Sequence, residues 1–192
     1  MVVNPDHSYM SFDQYLELCR NNPDTHYEYD HGQVTMLAGG KLDHSRIAKN
    51  IIAALDTLLH NSSCEVFTSD AVVRLPAGRG VLPDVTVTCD QRDHRNNDYI
   101  QYPCLIFEVL SPSTEAVDRG RKFNDYRACP TIKEYVLVNT HEPLIEYYQR
   151  EKEPMWSYYT FGADQELPLT SIGVTLSVNA IYKNVLFQDG NN

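Results

Sequence analysis

Cys104-Leu105-Ile106-Phe107-Glu108-Val109-Leu110 is an apolar run of strand length with one carboxylate inside it. Such runs mark strands covered on both faces, so the rest of the chain must supply a layer on each side. An ionised Glu108 there is costly unless a cation compensates it, because charged groups are almost never fully buried alone. The identity of that cation constrains both the fold around the strand and its use.

At 192 residues the chain fits one domain spanning 1–192, large enough for a substantial core. No window approaches the length needed to cross a bilayer, and the start, Met1-Val2-Val3-Asn4-Pro5-Asp6-His7, lacks the basic and apolar segments of a signal peptide. A soluble cytoplasmic protein with no membrane partner is expected. The 16 basic and 26 acidic residues give a formal charge of −10, which argues against a general nucleic-acid coat and still permits a local basic groove. Five cysteines (Cys19, Cys64, Cys89, Cys104, Cys129) form no Cys-x-x-Cys pair, so neither a zinc ribbon nor a redox motif is indicated. Reduced, mostly buried thiols are expected.

Ser11-Phe12-Asp13-Gln14 has the capping-box pattern and opens a short helix that Asn21-Asn22-Pro23 stops. Tyr27–Asp30 and Gln33–Leu37 flank a tight turn at Asp30-His31-Gly32. Ile47, Ile51, Ile52, Leu55, Leu58 and Leu59 make the apolar stripe of a long helix capped by Asp43. Strands are expected at Glu65–Phe67, Ala71–Leu75 and Val81–Thr88, with a loop at Pro76–Gly80 and a polar loop at Asp90–Asp98. After the Glu108 strand, Thr114 caps a helix over Glu115–Ala128 that Gly120 weakens. Glu134–Val138, Leu144–Gln149, Met155–Phe161 and Gly173–Leu176 read as strands, with a helical turn at Val178–Tyr182 and a frayed polar end. The fold class is α/β (α+β), with antiparallel strands clustered towards both ends.

Pro83-Asp84 opens a strand, and Glu108 sits in another 24 residues later. If those strands are neighbours, two carboxylates meet at one point of a sheet. At about 4 Å two like charges repel by about 4 kcal/mol at an effective dielectric of 20, a cost that a divalent cation between them removes. Oxygen ligands with waters left in place suit Mg²⁺, which can activate water and stabilise charge on a phosphate. Such a site also needs a compact positive charge. Leu110, on the same face as Glu108, carries none; Lys122, two turns into the next helix, is the nearest suitable lysine.

Pro83-Asp84 followed by Glu108-Val109-Leu110 resembles the Pro-Asp…(Asp/Glu)-x-Lys signature of the restriction-endonuclease-like superfamily. Within it, the chain is similar to the family called domain of unknown function 820. The shared features are Tyr27-Glu28-Tyr29-Asp30-His31-Gly32, His44 at the start of the long helix, Pro83-Asp84-Val85, Glu108 to Thr114, and Asp118, Lys122 and Tyr126 before the Lys133–Val138 strand. The similarity runs from about Ser11 to about Val185. It implies a restriction-endonuclease-like mixed β-sheet core flanked by helices, with additional antiparallel strands. It also implies a Mg-dependent nuclease, with Mn²⁺ as substitute, acting on nucleic acid and chiefly DNA. The implied catalytic residues are Asp84, Glu108, Lys122 and Glu28, of which Asp84 and Glu108 are the metal ligands. Lys122 stands in for the lysine missing at Leu110. A homodimer is expected by analogy with enzymes that cut both strands of a duplex.

Each of these residues also has a plainer reading. Asp84 can stabilise a strand start, Glu108 can pair with Arg74 or Arg121, Lys122 can pair on the surface with Asp118, and Glu28 can shape a hairpin. His44 reads as a helix-start or packing residue, and His26 and His31 as exposed. Ser111 and Ser113 lack a nucleophile elbow. Tyr147, Tyr148, Tyr158 and Tyr159 read as strand aromatics. The alternative function is a non-catalytic binding or assembly module that retains the nuclease fold.

Overall fold

The computed structural model describes residues 9–187, so Met1–His7 and the last residues of the expected polar end lie outside the described residues. Helix α1 (Phe12–Asn21) begins with a complete capping box: Gln14 N donates to Ser11 Oγ, and Ser11 N donates to Gln14 Oε1. Strands β1 (Tyr27–Asp30) and β2 (Gln33–Met36) form the expected hairpin. Its two-residue loop needs positive φ at both positions, which His31 (47°) and Gly32 (95°) adopt.

Helix α2 spans Leu42–Leu59 and buries Ile47, Ile51, Leu55 and Leu59. It starts one residue before the expected cap. Lys41 occupies the cap position without a side-chain bond, and Asp43 lies inside the first turn, where it pairs with Arg46. A carboxylate there still complements the helix dipole.

Strands β3 (Glu65–Thr68), β4 (Val73–Leu75), β5 (Arg79–Val81) and β6 (Val85–Thr88) follow. The expected Val81–Thr88 strand is thus two strands broken at Leu82-Pro83-Asp84, because a proline cannot donate to a ladder. The polar loop after β6 contains a 3-10 turn at Asp93–Arg95 and is not wholly solvated. Buried Asp93 accepts from Thr88 Oγ1, Gln101 N and Tyr102 N.

Strand β7 (Leu105–Val109) is buried along its whole length, as its composition demands. The segment after it is a compound helix rather than the expected continuous one. α3 (Glu115–Val117) leads into a π-helical turn at Asp118–Lys122 and then α4 (Phe123–Ala128). Thr114 makes no side-chain cap bond. Strands β8 (Glu134–Val138), β9 (Leu144–Arg150), β10 (Trp156–Gly162), β11 (Glu166–Leu169) and β12 (Val174–Ser177) precede α5 (Val178–Ile181). Strand β11 has no counterpart in the sequence reading.

The main sheet has the order β10-β9-β8-β7-β6-β3, with β7 and β8 parallel and its other neighbours antiparallel. A parallel pair needs a crossover, and α3, the π turn and α4 supply it. A second sheet runs β2-β1-β5-β4, and β11 pairs with β12. Strand alternation divides the core. Val85, Val87, Phe107, Val109, Val136 and Val138 pack under α2, α5 and β12. Ile106, Leu110, Tyr135 and Leu137 face the other way, against Tyr126, Ile132, Val73 and Val81. Each fully buried aliphatic side chain contributes about 1.5–3 kcal/mol. Glu108 shares the second face, beneath the compound helix.

The cysteines depart from expectation. Cys64, just before β3, is disulfide-bonded to Cys89, just after β6, while Cys19, Cys104 and Cys129 are free. The β3–β6 register that pairs Glu65 with Thr88 brings the two together, a juxtaposition their separation of 25 residues does not reveal.

Candidate active site

Glu108 is 3% exposed, so its compensation must be local. Strands β6 and β7 are antiparallel with Val85 opposite Phe107, and continuing that register sets Asp84 beside Glu108. The break at Pro83 frees Asp84 from the ladder, and its Oδ2 accepts from the Val109 N–H at 2.7 Å. Two carboxylates from segments far apart in sequence thus meet at one end of the β6–β7 pair.

The cation beside Glu108 is Lys122. Its ammonium donates to Glu108 Oε1 at 2.9 Å and stands 3.3 Å from Glu28 Oε1 and 3.5 Å from Asp118 Oδ1. Tyr126, one turn on, donates its hydroxyl to the same Glu108 oxygen at 2.6 Å. The sequence alternatives for Glu108 are otherwise engaged: Arg74 donates to Tyr99 and lies over Phe12, and Arg121 pairs with Asp30. Lys122 does contact Asp118, as the plainer reading holds, but the pair is buried among further carboxylates and not on the surface.

The π turn explains how Asp118 and Lys122 reach the site together. Wide turns of this kind occur mostly as single insertions in α-helices and frequently at functional sites. Here the buried Tyr135 hydroxyl, from β8, donates to the Asp118 carbonyl and holds the turn from below. Asp118 is 1% exposed, and its Oδ1 has no hydrogen-bond partner among the described residues.

His44 enters the site as well, contrary to its reading as a packing residue. Its Nε2 lies 3.2 Å from Asp84 Oδ2 because the first turn of α2 ends over this corner of the sheet. The signal was its place at the head of α2, but only the packing of α2 on β6 and β7 gives it a partner. The Glu28 oxygen that faces Lys122 also accepts from the Leu82 N–H, at 3.4 Å.

The electrostatics follow from burial. Desolvation pushes the Glu108 carboxyl up, with Asp84 and Asp118 adding to the effect and Lys122 opposing it. Burial alone would lower Lys122, yet Glu108, Glu28 and Asp118 outweigh it and hold the ammonium charged. Asp118 is raised chiefly by desolvation. The hydrogen bond to Asp84 raises His44 against the opposing effect of its burial. With all four carboxyl groups ionised, the pocket would hold an excess of negative charge over one ammonium and one imidazole, a cost that adds to the desolvation raising Glu108 and Asp118.

That excess is the argument for a cation. Among the described residues no three His, Cys, Asp or Glu side chains form a ready-made metal cage. Asp84 Oδ2 and Glu108 Oε1 are taken by the contacts above, whereas the second oxygen of each receives no hydrogen bond from a described residue. Two carboxylate oxygens are a donor set that fits Mg²⁺, which usually binds through one or two carboxylates.

The chain resembles known proteins over most of its length. The family model Uma2, described as "Putative restriction endonuclease", matches residues 12–179. The protein slr1290 of Synechocystis sp., described as uncharacterized, is 36% identical over 179 residues, covering 93% of this chain and 94% of its own. A second Synechocystis protein, sll1609, also described as uncharacterized, is 29% identical over 132 residues, 67% of this chain and 75% of its own. A crystal structure described as that of "a putative nuclease belonging to DUF820" from Anabaena variabilis superposes with a TM-score of 0.72 at 17% identity, covering 92% of this chain and 99% of that one. The fold is therefore that of a nuclease-fold protein, a mixed sheet with helices on its faces.

Proposed function

Because this chain belongs to the Uma2 family of putative restriction endonucleases, we propose that it is a divalent-metal-dependent phosphodiesterase of nucleic acid, with DNA as substrate. The observation that carries this reading is the pairing of Asp84 with Glu108 at one end of β6 and β7, with the Lys122 ammonium 2.9 Å from Glu108. Asp84 and Glu108 would hold Mg²⁺, or Mn²⁺ in its place. When bound, the ion supplies a more acidic water and a charge that stabilises the developing phosphate anion.

The protein groups have separate tasks. The Val109 N–H fixes the direction of Asp84, and Tyr126 fixes Glu108. Lys122, whose ammonium reaches Glu108, Glu28 and Asp118, would be the group to orient water or a phosphate oxygen. Glu28 and Asp118 keep that ammonium at the site. A homodimer, with two such sites related by a two-fold axis, would cut both strands of a duplex.

A second reading, a binding or assembly module that keeps the fold, is favoured by one observation: Lys122 already compensates Glu108 without any metal. Incubation with plasmid, linear and single-stranded DNA in Mg²⁺ or Mn²⁺ separates the two. Cleavage that disappears in Asp84→Asn and in Glu108→Gln is expected. Cleavage undiminished in both variants, or none by the unaltered protein, overturns the nuclease assignment.

A further inference from the structure

At the far end of the same strands, three sulfurs lie together. Cys89 closes β6, the strand between β3 and β7, and is bonded to Cys64 at the β3 side. Cys104, at the start of β7, holds its Sγ 3.8 Å from Cys89 Sγ. The Cys104 backbone N–H donates to Val87 O at 2.9 Å, and its thiol donates to the same carbonyl at 3.3 Å, which fixes it beside the disulfide. A free thiol held in contact with one sulfur of a disulfide has the arrangement from which exchange proceeds.

We propose that Cys64, Cys89 and Cys104 form a thiol–disulfide exchange site in which Cys89 is the shared sulfur and the bond passes between Cys64 and Cys104. The Cys104 thiolate attacks Cys89 Sγ. The Cys89–Cys104 bond forms, the Cys64–Cys89 bond breaks, and the electron pair leaves on Cys64 Sγ. The proton lost by Cys104 is returned through solvent to Cys64, so no oxidant or reductant is consumed.

The two outer positions differ in surroundings, and that difference gives the exchange a consequence. Cys104 sits beside buried Glu134, and burial with this carboxylate pushes its thiol up to about 11. Attack is therefore slow near neutrality. Cys64 instead lines an open cavity of about 330 Å³ shared with Asp56, His60, Glu65 and Phe67. Both positions are half-buried, so exchange moves the free thiol from beside Glu134, just before β7, to the wall of that cavity. There it can exchange with a small-molecule disulfide, keeping one half as a mixed disulfide and releasing the other half as a thiol. The free-thiol count stays the same while the position of the free thiol changes.

The test maps which cysteine is free. The intact protein is held at a series of pH values without reductant, quenched in acid, and labelled with N-ethylmaleimide in acidic denaturant before peptide mass analysis. Labelled Cys64, paired with a Cys89–Cys104 disulfide, is expected to appear at a rate that rises about tenfold per pH unit until Cys104 is ionised. Cys104→Ala should never show labelled Cys64. In Cys64→Ser, glutathione disulfide should close a Cys89–Cys104 bond in place of a lasting glutathione adduct. This arm stands even where Cys104→Ala does not fold. A Cys64–Cys89 disulfide with only Cys104 labelled at every pH, a stable adduct on Cys89 in Cys64→Ser, or a protein isolated with all cysteines free overturns the proposal.

Discussion

The Lys122 ammonium donates to Glu108 Oε1 at 2.9 Å across the gap between a π-helical turn and the central strand. This contact answers the anomaly of a charge in an apolar strand. Lys122→Met leaves Glu108, Asp118 and Glu28 facing one another in a nearly dry pocket. Losing one partner of a buried pair costs about 3–5 kcal/mol. The double variant Lys122→Met with Glu108→Gln should recover a substantial part of that loss. Urea unfolding of all four proteins measures the coupling. Additive effects would mean the pair does not stabilise the site.

Glu134 is a second buried carboxylate, with an opposite kind of satisfaction. It is 0% exposed and accepts from Tyr147 Oη, from the Thr170 and Ser171 amides, and from the Thr170 and Ser171 hydroxyls. Among the described residues no cation pairs with it, and its partners on Thr170 and Ser171 make it an anchor for the segment between β11 and β12. Glu134→Gln places amide hydrogens against existing donors and should cost about 2–4 kcal/mol. A loss below about 1 kcal/mol in chemical denaturation would show that the anchor contributes little.

Gly120 lies within the π turn, yet a Cβ built there meets nothing within 4 Å, and its φ is not in the left-handed region. Gly120→Ala should therefore stabilise the protein by up to about 1 kcal/mol, through helix propensity alone. The melting temperature should rise by about 2–4 °C for a chain of this size. A fall instead would mean that the π turn depends on glycine's backbone freedom.

The alkaline limb of stability should report Cys104. Its thiol is raised from 9.0 to about 11, so the folded state favours the neutral form. The stabilisation is whole below pH 9, where both states are protonated. It is lost as pH climbs from about 9 to about 11, because the unfolded chain ionises first. At about 1.4 kcal/mol per pH unit the loss is at most about 2–3 kcal/mol. In a Cys64→Ser, Cys89→Ser background, where Cys104 stays a thiol, the stability difference made by Cys104→Ala should shrink over that window, and a difference independent of pH would contradict it.

Much of this arrangement was legible because its signals are local. Ser11 and Gln14 name a capping box by themselves, and a lone Glu108 within Leu105–Val109 signals a buried charge before any partner is known. Lys122 could be nominated from helical spacing. The π turn could not, since Asp118, Lys122 and Tyr126 at intervals of four read equally well as an ordinary helix. His44 and the Cys64–Cys89 bond were hidden for a different reason. Their partners are set by how α2 lies on the sheet and by the β3–β6 register, which no short window contains. The strand break at Leu82-Pro83-Asp84 was signalled by its proline, but the apolar residues on either side masked it.

If Asp84 and Glu108 hold a divalent cation, as proposed, calorimetric titration with Mn²⁺ will report it. The unaltered protein should bind Mn²⁺ at a single site per chain, and at 100 times the dissociation constant the ion should stabilise the fold by about 2.7 kcal/mol. Asp84→Asn and Glu108→Gln should each abolish that binding while remaining folded. No binding by the unaltered protein, or equal affinity in both variants, would contradict the assignment.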